Sequence, residues 1–271
     1  MTHTRTTLAA LFEQHGLAPS RALGQNFVVD PNTVRRIARL ARVGAGDHVV
    51  EIGAGAGSLT MALAETGATI TAIEIDRHLL PVLSAVADPL GVTVVHADAL
   101  TADWPTILAA APMWTLVANL PYNVATPLVL DLLDDVPAIA RMLVMVQREA
   151  GERLAAKVGD DAYGIPSVKV GYWATAKLVG RVGPDVFFPK PRVESILVEI
   201  VRRPSPATDA PAGRLFELVR AGFGQRRKML RRSLAALVEP DAFAAAGVRP
   251  EARAEELSVE DWGRLATASP T

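Results

Sequence analysis

Short apolar runs rich in β-branched residues alternate with longer segments of helical periodicity across the first two thirds of the chain. This alternation is typical of a parallel sheet covered by helices on both faces, so it predicts an α/β fold with a doubly wound sheet. Seven strands are predicted, at His48 to Gly53, Thr69 to Ile75, Thr93 to His96, Thr115 to Asn119, Met142 to Gln147, near Val168 to Val179, and Ser195 to Val201. Helices are predicted between strands at Leu59 to Glu65, Leu79 to Ala87 and Pro127 to Leu133.

A further helix is predicted before the first strand of this sheet. Asp30 is followed by Pro31, which is a typical helix start, and the helical pattern runs to Arg42. Four arginines fall on one face of this helix at helical spacing, namely Arg35, Arg36, Arg39 and Arg42. The stripe is either a solvated face or part of a basic rim.

Residues 204–211 are proline-rich and weakly hydrophobic, which is typical of a linker. We therefore expect a first domain over residues 1–203, including an N-terminal segment that covers a ligand, and a small helical domain over residues 212–271. Residues 237–271 carry no pattern to which we assign a role.

Composition excludes several classes of protein. The chain has 271 residues, half of them hydrophobic, yet no apolar run is long enough to span a membrane, and Met1 to Leu8 does not resemble a signal peptide. A cytoplasmic, monomeric protein without a membrane partner is expected. The absence of cysteine excludes disulfides, thiolate metal sites and a cysteine nucleophile. The five histidines show no ligand spacing, so no metal is predicted.

The net charge of -1 hides an uneven distribution. Lysine and arginine exceed the acidic residues by 4 in residues 1–43 and by 9 in residues 141–234, whereas acidic residues are in excess by 10 in residues 44–140 and by 4 in residues 235–271. Such asymmetry indicates either a polyanion-binding face or an ordinary solvated surface.

A glycine loop follows the first strand of the predicted sheet. Gly53, Gly55 and Gly57 are spaced as GxGxG, which favours S-adenosylmethionine over a dinucleotide, since the latter typically requires GxGxxG. Glu74 closes the next strand and can accept both hydroxyls of a ribose from either cofactor. Asp98 follows the third strand, where it either accepts from an adenine amino group or caps a helix.

Asn119-Leu120-Pro121-Tyr122 follows the fourth strand. The run offers an amide oxygen, a backbone carbonyl and an aromatic face, which an exocyclic amino group on a nucleobase needs for hydrogen bonding and stacking. Because open α/β sheets bind ligands at the carboxyl ends of their strands, we expect this run to lie beside the glycine loop.

Several motifs in this order closely resemble those of the rRNA adenine N6,N6-dimethyltransferases, with the best match to the bacterial KsgA type. They are Leu23 to Phe27, Glu51 to Thr60, Glu74 to Arg77, His96 to Leu100, Asn119 to Asn123, the FxPxPxVxS segment Phe187 to Ser195 and the QRRK run Gln225 to Lys228. The resemblance covers about Leu23 to Leu234 and implies a Rossmann-like class I methyltransferase sheet of seven strands with a small C-terminal helical domain. The sequence departs from the family pattern at Ala54, Met229 and Arg232, where the family often has proline, threonine and asparagine.

The resemblance also implies residue roles. The residues that would contact S-adenosylmethionine are Asn26, Val28, Gly53, Glu74, Asp98 and Asn119. Those that would handle the target adenine are Asn119, Leu120, Tyr122 and Phe187. We assign the cations Lys190, Arg192, Arg226, Arg227, Lys228 and Arg231 to RNA phosphates, because they belong to or follow the acceptor side of the sheet.

The expected reaction is methyl transfer to the N6 amino group of adjacent adenines in the 3′-terminal hairpin of small-subunit (16S) rRNA, within an assembling ribosomal subunit. The target base would leave its stack, and acceptors on Asn119 and Leu120 would bind the N6 hydrogens. Three alternatives remain open: an antibiotic-resistance methyltransferase of large-subunit rRNA, a NAD-dependent dehydrogenase, and an RNA-binding assembly factor without catalysis. The FxPxPxVxS and QRRK segments favour the small-subunit enzyme.

Overall fold

The computed structural model describes residues 2–270 of the chain. Its strands are β1 (Phe27–Val28), β2 (His48–Ile52), β3 (Thr69–Glu74), β4 (Thr93–His96), β5 (Trp114–Asn119), β6 (Ile139–Gln147), β7 (Ala174–Val182), β8 (Phe187–Phe188) and β9 (Ser195–Arg202). Its α-helices are α1 (Arg5–Gln14), α2 (Pro31–Ala41), α3 (Ser58–Ala64), α4 (Leu80–Ala87), α5 (Trp104–Ile107), α6 (Ala125–Asp135), α7 (Arg148–Ala155), α8 (Ile165–Trp173), α9 (Ala212–Gly224), α10 (Leu230–Ser233), α11 (Pro240–Ala245) and α12 (Val259–Ala268).

Seven strands form the main sheet in the order β4-β3-β2-β5-β6-β9-β7. The pairs β4–β3, β3–β2, β2–β5 and β5–β6 are parallel, and β9 runs antiparallel to β6. The order reverses between β2 and β5, which is the point where doubly wound sheets open a ligand crevice at their carboxyl edge. The predicted α/β fold with seven strands is therefore confirmed. A separate two-stranded sheet pairs Phe27 with Phe188 and Val28 with Phe187.

The prediction of a strand near Val168 to Val179 was wrong for the first half of this range. Residues Ile165–Trp173 form α8, and the strand β7 begins only at Ala174. Pro166 lies in the first turn of the helix, where its missing N–H costs nothing, and the hydroxyl of Ser167 accepts a hydrogen bond from the Gly164 N–H at 3.1 Å. Apolar β-branched residues alone did not distinguish a buried helix from a buried strand.

The predicted start of α2 is confirmed. Asp30 accepts hydrogen bonds from the backbone N–H groups of Asn32 and Thr33, so its carboxylate satisfies donors that have no partner within the helix. At the other end, Arg42 adopts the left-handed conformation with φ 50°. Buried α2 side chains, among them Val34 and Ile37, pack into the core of the main sheet.

The chain divides into two compact units. The first comprises residues 1–151 and 177–201, and the second comprises residues 152–176 and 202–271. The second unit thus takes residues 152–176 from a stretch expected in the first domain. The expected linker packs inside this unit, since Ala210 is buried and its carbonyl accepts a hydrogen bond from the Tyr172 hydroxyl at 3.0 Å.

The residues beyond Leu237 build part of the core of the second unit. Helix α12 begins with Ser258 as its cap and buries Trp262 completely, in a cluster with Phe216, Phe243 and Leu265. This segment, to which the sequence assigned no role, is therefore required for the fold of the second unit.

Candidate active site

A cavity lies where the loops after β2, β3 and β5 meet, at the carboxyl edge of the main sheet. Its lining combines residues from four separate segments, which are 23–28, 51–59, 74–79 and 119–122. The glycine loop, Glu74 and the Asn119 run thus meet at one cavity, as expected from the sequence. The β1 segment forms part of the wall, because Phe27 and Val28 both line the cavity.

The glycine loop needs glycine at all three positions. Gly53, Gly55 and Gly57 have φ values of 71°, 60° and 85°, a region that side chains with a Cβ rarely adopt. At Gly55 a Cβ would lie 2.9 Å from the Phe27 ring, and at Gly57 it would lie 2.5 Å from Cγ2 of Val86. The loop therefore has no room for a side chain at Gly55 or Gly57, and Gly53 is its exposed residue at the cavity.

Glu74 is buried at the end of β3, with its carboxylate at the cavity. One oxygen accepts from the Gly55 N–H at 2.7 Å and the other from the Asp76 N–H at 2.8 Å. Burial raises the pKa of Glu74, although these two backbone hydrogen bonds oppose the shift. The carboxylate is held by neutral donors only, so it keeps acceptor capacity for hydroxyl groups of a ligand.

Glu51 is a second buried carboxylate in the cavity wall, and the sequence analysis did not single it out. Its side chain accepts a hydrogen bond from the Thr60 hydroxyl at 2.6 Å. Burial, with a smaller contribution from the nearby charge of Glu74, raises the pKa of Glu51 to about 8. Its position between the apolar residues Val50 and Ile52, near the end of the strand, was the signal that could have revealed it.

Asp98 lines an adjoining apolar cavity rather than the first one. This second cavity shares Leu23, Gly53 and Pro121 with the first and is otherwise walled mainly by apolar side chains. The Oδ1 atom of Asp98 accepts from the Leu100 N–H at 3.0 Å, so the residue does stabilise a turn. Its other carboxylate oxygen accepts no hydrogen bond within the described residues and is accessible to a ligand in this cavity.

Asn119 is fixed by a hydrogen bond to the segment that covers the sheet edge. Its Nδ2 donates to the carbonyl oxygen of Asn26 at 2.9 Å, and the Asn26 amide in turn donates to the Gly24 carbonyl at 3.0 Å. Since the donor side of the Asn119 amide is used, its Oδ1 is the atom that a ligand amino group would meet.

Tyr122 stands two residues after Leu120, whose backbone N–H donates to Met145. The Tyr122 hydroxyl and the Ser195 hydroxyl are 2.7 Å apart, which connects the Asn119 run to the last residue of the FxPxPxVxS segment. Partial burial raises the pKa of Tyr122, so its ring is that of a neutral phenol. The half-buried ring is available as a stacking face.

Phe187 does not lie where the expected stacking role requires it. The side chain is completely buried in the core of the first unit and is absent from the cavity wall. Because β8 alternates its side chains, Phe187 points to this core and the half-buried Phe188 packs with Phe27. The Arg5 guanidinium lies over the Phe188 ring at 5.6 Å and donates to the Phe187 carbonyl at 2.9 Å. Stacking of Phe187 on a base would require a movement of β8.

The cations assigned to RNA are exposed. In the first unit, Lys190 pairs with Asp185 at 2.6 Å. In the second unit, Arg226 pairs with Glu255 at 2.7 Å, and the run from Arg226 to Lys228 borders a surface groove after α9. All six positions are accessible to a polyanion, and they are Lys190, Arg192, Arg226, Arg227, Lys228 and Arg231.

Within residues 2–270, no group of three or more histidine and acidic side chains is arranged to hold a metal ion. No helix in the described part of the chain is long and apolar enough to cross a membrane.

The strand order, the antiparallel β9 and the glycine loop followed by an acidic strand end define a class I methyltransferase. The family model for ribosomal RNA adenine dimethylase matches residues 18–269. The chain belongs to this family.

Relatives named ribosomal RNA small subunit methyltransferase A are similar along most of their length. The protein from Leifsonia xyli is 48% identical, with 94% of each chain covered. The protein from Thermobifida fusca is 46% identical, covering 98% of this chain and 96% of its own.

Two solved structures share the architecture. A dimethyladenosine transferase from Plasmodium falciparum superposes with a TM-score of 0.75 at 23% identity, covering 87% of this chain and 94% of its own. The 23S rRNA methyltransferase ErmE superposes with a TM-score of 0.70 at 27% identity, covering 90% of this chain and 99% of its own.

Family membership confirms the predicted enzyme class and the predicted methyl donor, S-adenosylmethionine. The cavity fits this donor. A glycine loop, with no room for a side chain at Gly55 or Gly57, adjoins the buried Glu74, which has unused acceptor capacity. The second, mainly apolar cavity beside Asp98 is next to it.

Proposed function

We propose that this protein methylates the N6 amino groups of adjacent adenines in the 3′-terminal hairpin of small-subunit (16S) rRNA, acting as a cytoplasmic monomer on an assembling subunit. Relatives up to 48% identical over 94% of the chain carry the name small subunit methyltransferase, which supports the small subunit over the large one. The observation that carries the reaction is the Asn119 run at the rim of the cavity, with an amide oxygen directed by the Asn26 contact.

S-adenosylmethionine would supply a methyl group on a sulfonium sulfur, and this chain would supply position and acceptors. Glu74 would bind the ribose hydroxyls, Asp98 the adenine amino group, and Asn26, Val28 and Gly53 would line the remainder of the donor site. All five residues border one of the two adjoining cavities.

The target adenine would enter beside Tyr122, because a base inside a helix does not expose its amino group to a buried donor. The Asn119 Oδ1 and the Leu120 carbonyl oxygen would accept the two N6 hydrogens. Two acceptors on one side of the nitrogen favour a tetrahedral geometry, in which the lone pair points toward the methyl group. The neutral Tyr122 ring would support one face of the base, and Phe187 would reach the other face only after β8 moves.

No strong base is needed in this arrangement. The amino group becomes acidic only as its bond to carbon forms, and the proton can then leave to solvent through the open rim. The six exposed cations named above would bind phosphates around the target, since affinity for a polyanion arises largely from such contacts.

Removal of the amide at Asn119 is the direct test. We expect Asn119→Ala to lower kcat by about 10² to 10³, the usual loss of a preorganised polar group, when tritium transfer from S-adenosylmethionine to unmethylated small subunits is measured. Tyr122→Phe is the matched control, because it keeps the ring and removes only the contact with Ser195.

Calorimetry with S-adenosylmethionine separates a binding defect from a catalytic one. Full turnover by Asn119→Ala with the donor bound contradicts the role of Asn119. Transfer to large subunits in preference to small ones contradicts the proposed substrate.

A further inference from the structure

The arginine stripe of α2 is part of a larger basic surface in the first unit. Helix α2 contributes Arg36 and Arg39, the residue that caps its C-terminus is Arg42, and the edge strand β7 adds Lys177 and Arg181. All five side chains are exposed. We call these five residues the α2–β7 surface. From the sequence, the stripe is either a solvated face or part of a basic rim. None of the five residues of the α2–β7 surface has a role in the proposed reaction.

A buried carboxylate organises this surface. Glu199 on β9 is 3% exposed and pairs with Lys177 at 2.7 Å, with Arg42 at 3.3 Å and with Arg141. Arg141 also donates to the carbonyls of Leu40 and Ala41 at the end of α2. One anion therefore holds cations from a helix and two strands in fixed positions.

Arg42 occupies a conformation that does not suit it. It is the non-glycine residue with positive φ among residues 2–270, at a helix end where glycine is the usual choice. A side chain in this region costs free energy, and such strain is retained where the side chain serves a purpose. The conformation directs an arginine next to Glu199, with the Arg42 side chain still 63% exposed.

Arg36 is also held in place. Its guanidinium donates to the Arg181 carbonyl at 3.1 Å and lies beside Gly180 on β7. The side chains of Arg36, Arg39 and Arg181 have no acidic partner in the described part of the chain. Their charges are therefore available to an anion.

The α2–β7 surface is distinct from the catalytic rim. In the β5–β6 register, Asn119 pairs with Met145 and Arg141 pairs with Thr115, so Arg141 lies four residues, or about 13 Å, toward the opposite edge of the sheet. Helix α2 begins just after the β1 segment that lines the cavity and ends at Arg42 beside Arg141. The arginines of this surface therefore extend from the cavity end of α2 toward the opposite edge of the sheet.

We propose that the α2–β7 surface binds the phosphate backbone of RNA that flanks the methylated hairpin. An excess of exposed cations complements a polyanion. Within residues 2–270, Arg36, Arg39 and Arg181 have no acidic partner, and Glu199 holds Arg42 and Lys177 beside them. The proposal rests on the proposed function, since it assumes an RNA substrate larger than the bases at the rim.

The test compares two triple variants by salt-dependent binding to unmethylated small subunits. In Arg36→Gln/Arg39→Gln/Arg181→Gln, the slope of log K against log salt should fall by about 1 for each lost phosphate contact, or about 3 in total. The control Arg249→Gln/Arg253→Gln/Arg264→Gln removes the same charge from residues 235–271, and its slope should equal that of the unchanged protein. Donor affinity, kcat at saturating subunits and melting temperature should stay unchanged in the first variant, while its KM rises.

Arg42→Gly distinguishes RNA binding by Arg42 from a purely structural role, because only the former predicts a change in the salt slope without a loss of stability. Glycine suits the left-handed conformation, so the melting temperature should stay equal or rise while the salt slope falls by about 1.

The outcomes separate the two proposals. If the unchanged protein binds with a steep salt slope and the first triple variant retains that slope, the inference is wrong and the proposed function stands. If the unchanged protein shows no salt-dependent binding, the proposed function fails and the inference fails with it.

Discussion

Buried glutamates occur in two regions of the first unit, and their electrostatic states are opposite. In the cavity, Glu51 and Glu74 contact only neutral donors, and burial raises the pKa of both. Beneath the α2–β7 surface, burial acts on Glu199 in the same direction, but hydrogen bonds and charges from Lys177 and Arg141 outweigh it, so the pKa of Glu199 is lowered.

The two regions differ in whether the protein supplies a counter-charge to the buried carboxylate. The protein itself supplies cations to Glu199, so that carboxylate stabilises the fold. Within the described residues, the protein supplies Glu51 and Glu74 with neutral donors and no cations, so burying these carboxylates opposes folding. Both line the cavity, where donors on a bound ligand would reach them. A carboxylate whose burial is not compensated by its own chain is the sign of a binding site.

The largest effect is expected from Glu199→Gln. Neutralising this side chain leaves Arg141, which is only 18% exposed, without a counter-charge, and breaking such a pair costs about 3 to 5 kcal/mol of unfolding free energy. Denaturant unfolding measures this loss. The control Glu194→Gln affects an exposed pair with Arg148 and should cost at most about 1 kcal/mol. Equal losses in the two variants contradict the special position of Glu199.

A pH-dependent effect of a few kcal/mol is expected from Glu51. Because its folded pKa of about 8 exceeds its unfolded value, the folded state binds the extra proton, and the stability of the unchanged protein falls as pH rises from about 4.5 to about 8. Glu51→Gln removes this dependence, so the variant should be the more stable form at pH 8.5 and nearly equal at pH 5. Thermal unfolding at both values checks this, and parallel pH profiles for the two proteins are incompatible with it.

The smallest effect is expected from Glu74→Gln, and on binding rather than folding. Under the proposed role of Glu74, replacing the carboxylate would weaken hydrogen bonds to the ribose hydroxyls by about 1.5 to 3 kcal/mol, or about 10- to 150-fold in donor affinity by calorimetry. The unfolding free energy at pH 7 should stay within about 1 kcal/mol, because the lost cost of burying a charge is offset by one backbone N–H, of Gly55 or Asp76, that loses its acceptor. A markedly less stable variant with unchanged donor affinity would contradict the binding role of Glu74 and show that it stabilises the fold, as Glu199 does.

Local patterns were enough to predict most of the sheet and the segments that meet at the cavity. The β-branched runs of β2 to β6 predicted the strands, because alternation with helical segments has few solutions other than a parallel sheet. The GxGxG spacing favoured S-adenosylmethionine over a dinucleotide, and family membership confirmed this donor. Strand ends then predicted which side chains meet, since parallel strands share one carboxyl edge.

Other features depended on contacts that are distant in sequence. Phe187 belongs to a motif, but its burial follows from the pairing of β8 with β1, some 160 residues away. Residues 165–173 form a helix because their apolar side chains join the core of the second unit, which includes α12 from the end of the chain.

The sequence by itself determined the fold class, the methyl donor and the acceptor motif, because hydrophobic period, glycine spacing and strand ends are local properties of the chain. Only the tertiary structure decided the states of the buried carboxylates. Glu51, Glu74 and Glu199 look alike in the sequence, and their pKa values diverge because ionisation depends on the charges and donors that folding brings within a few ångströms.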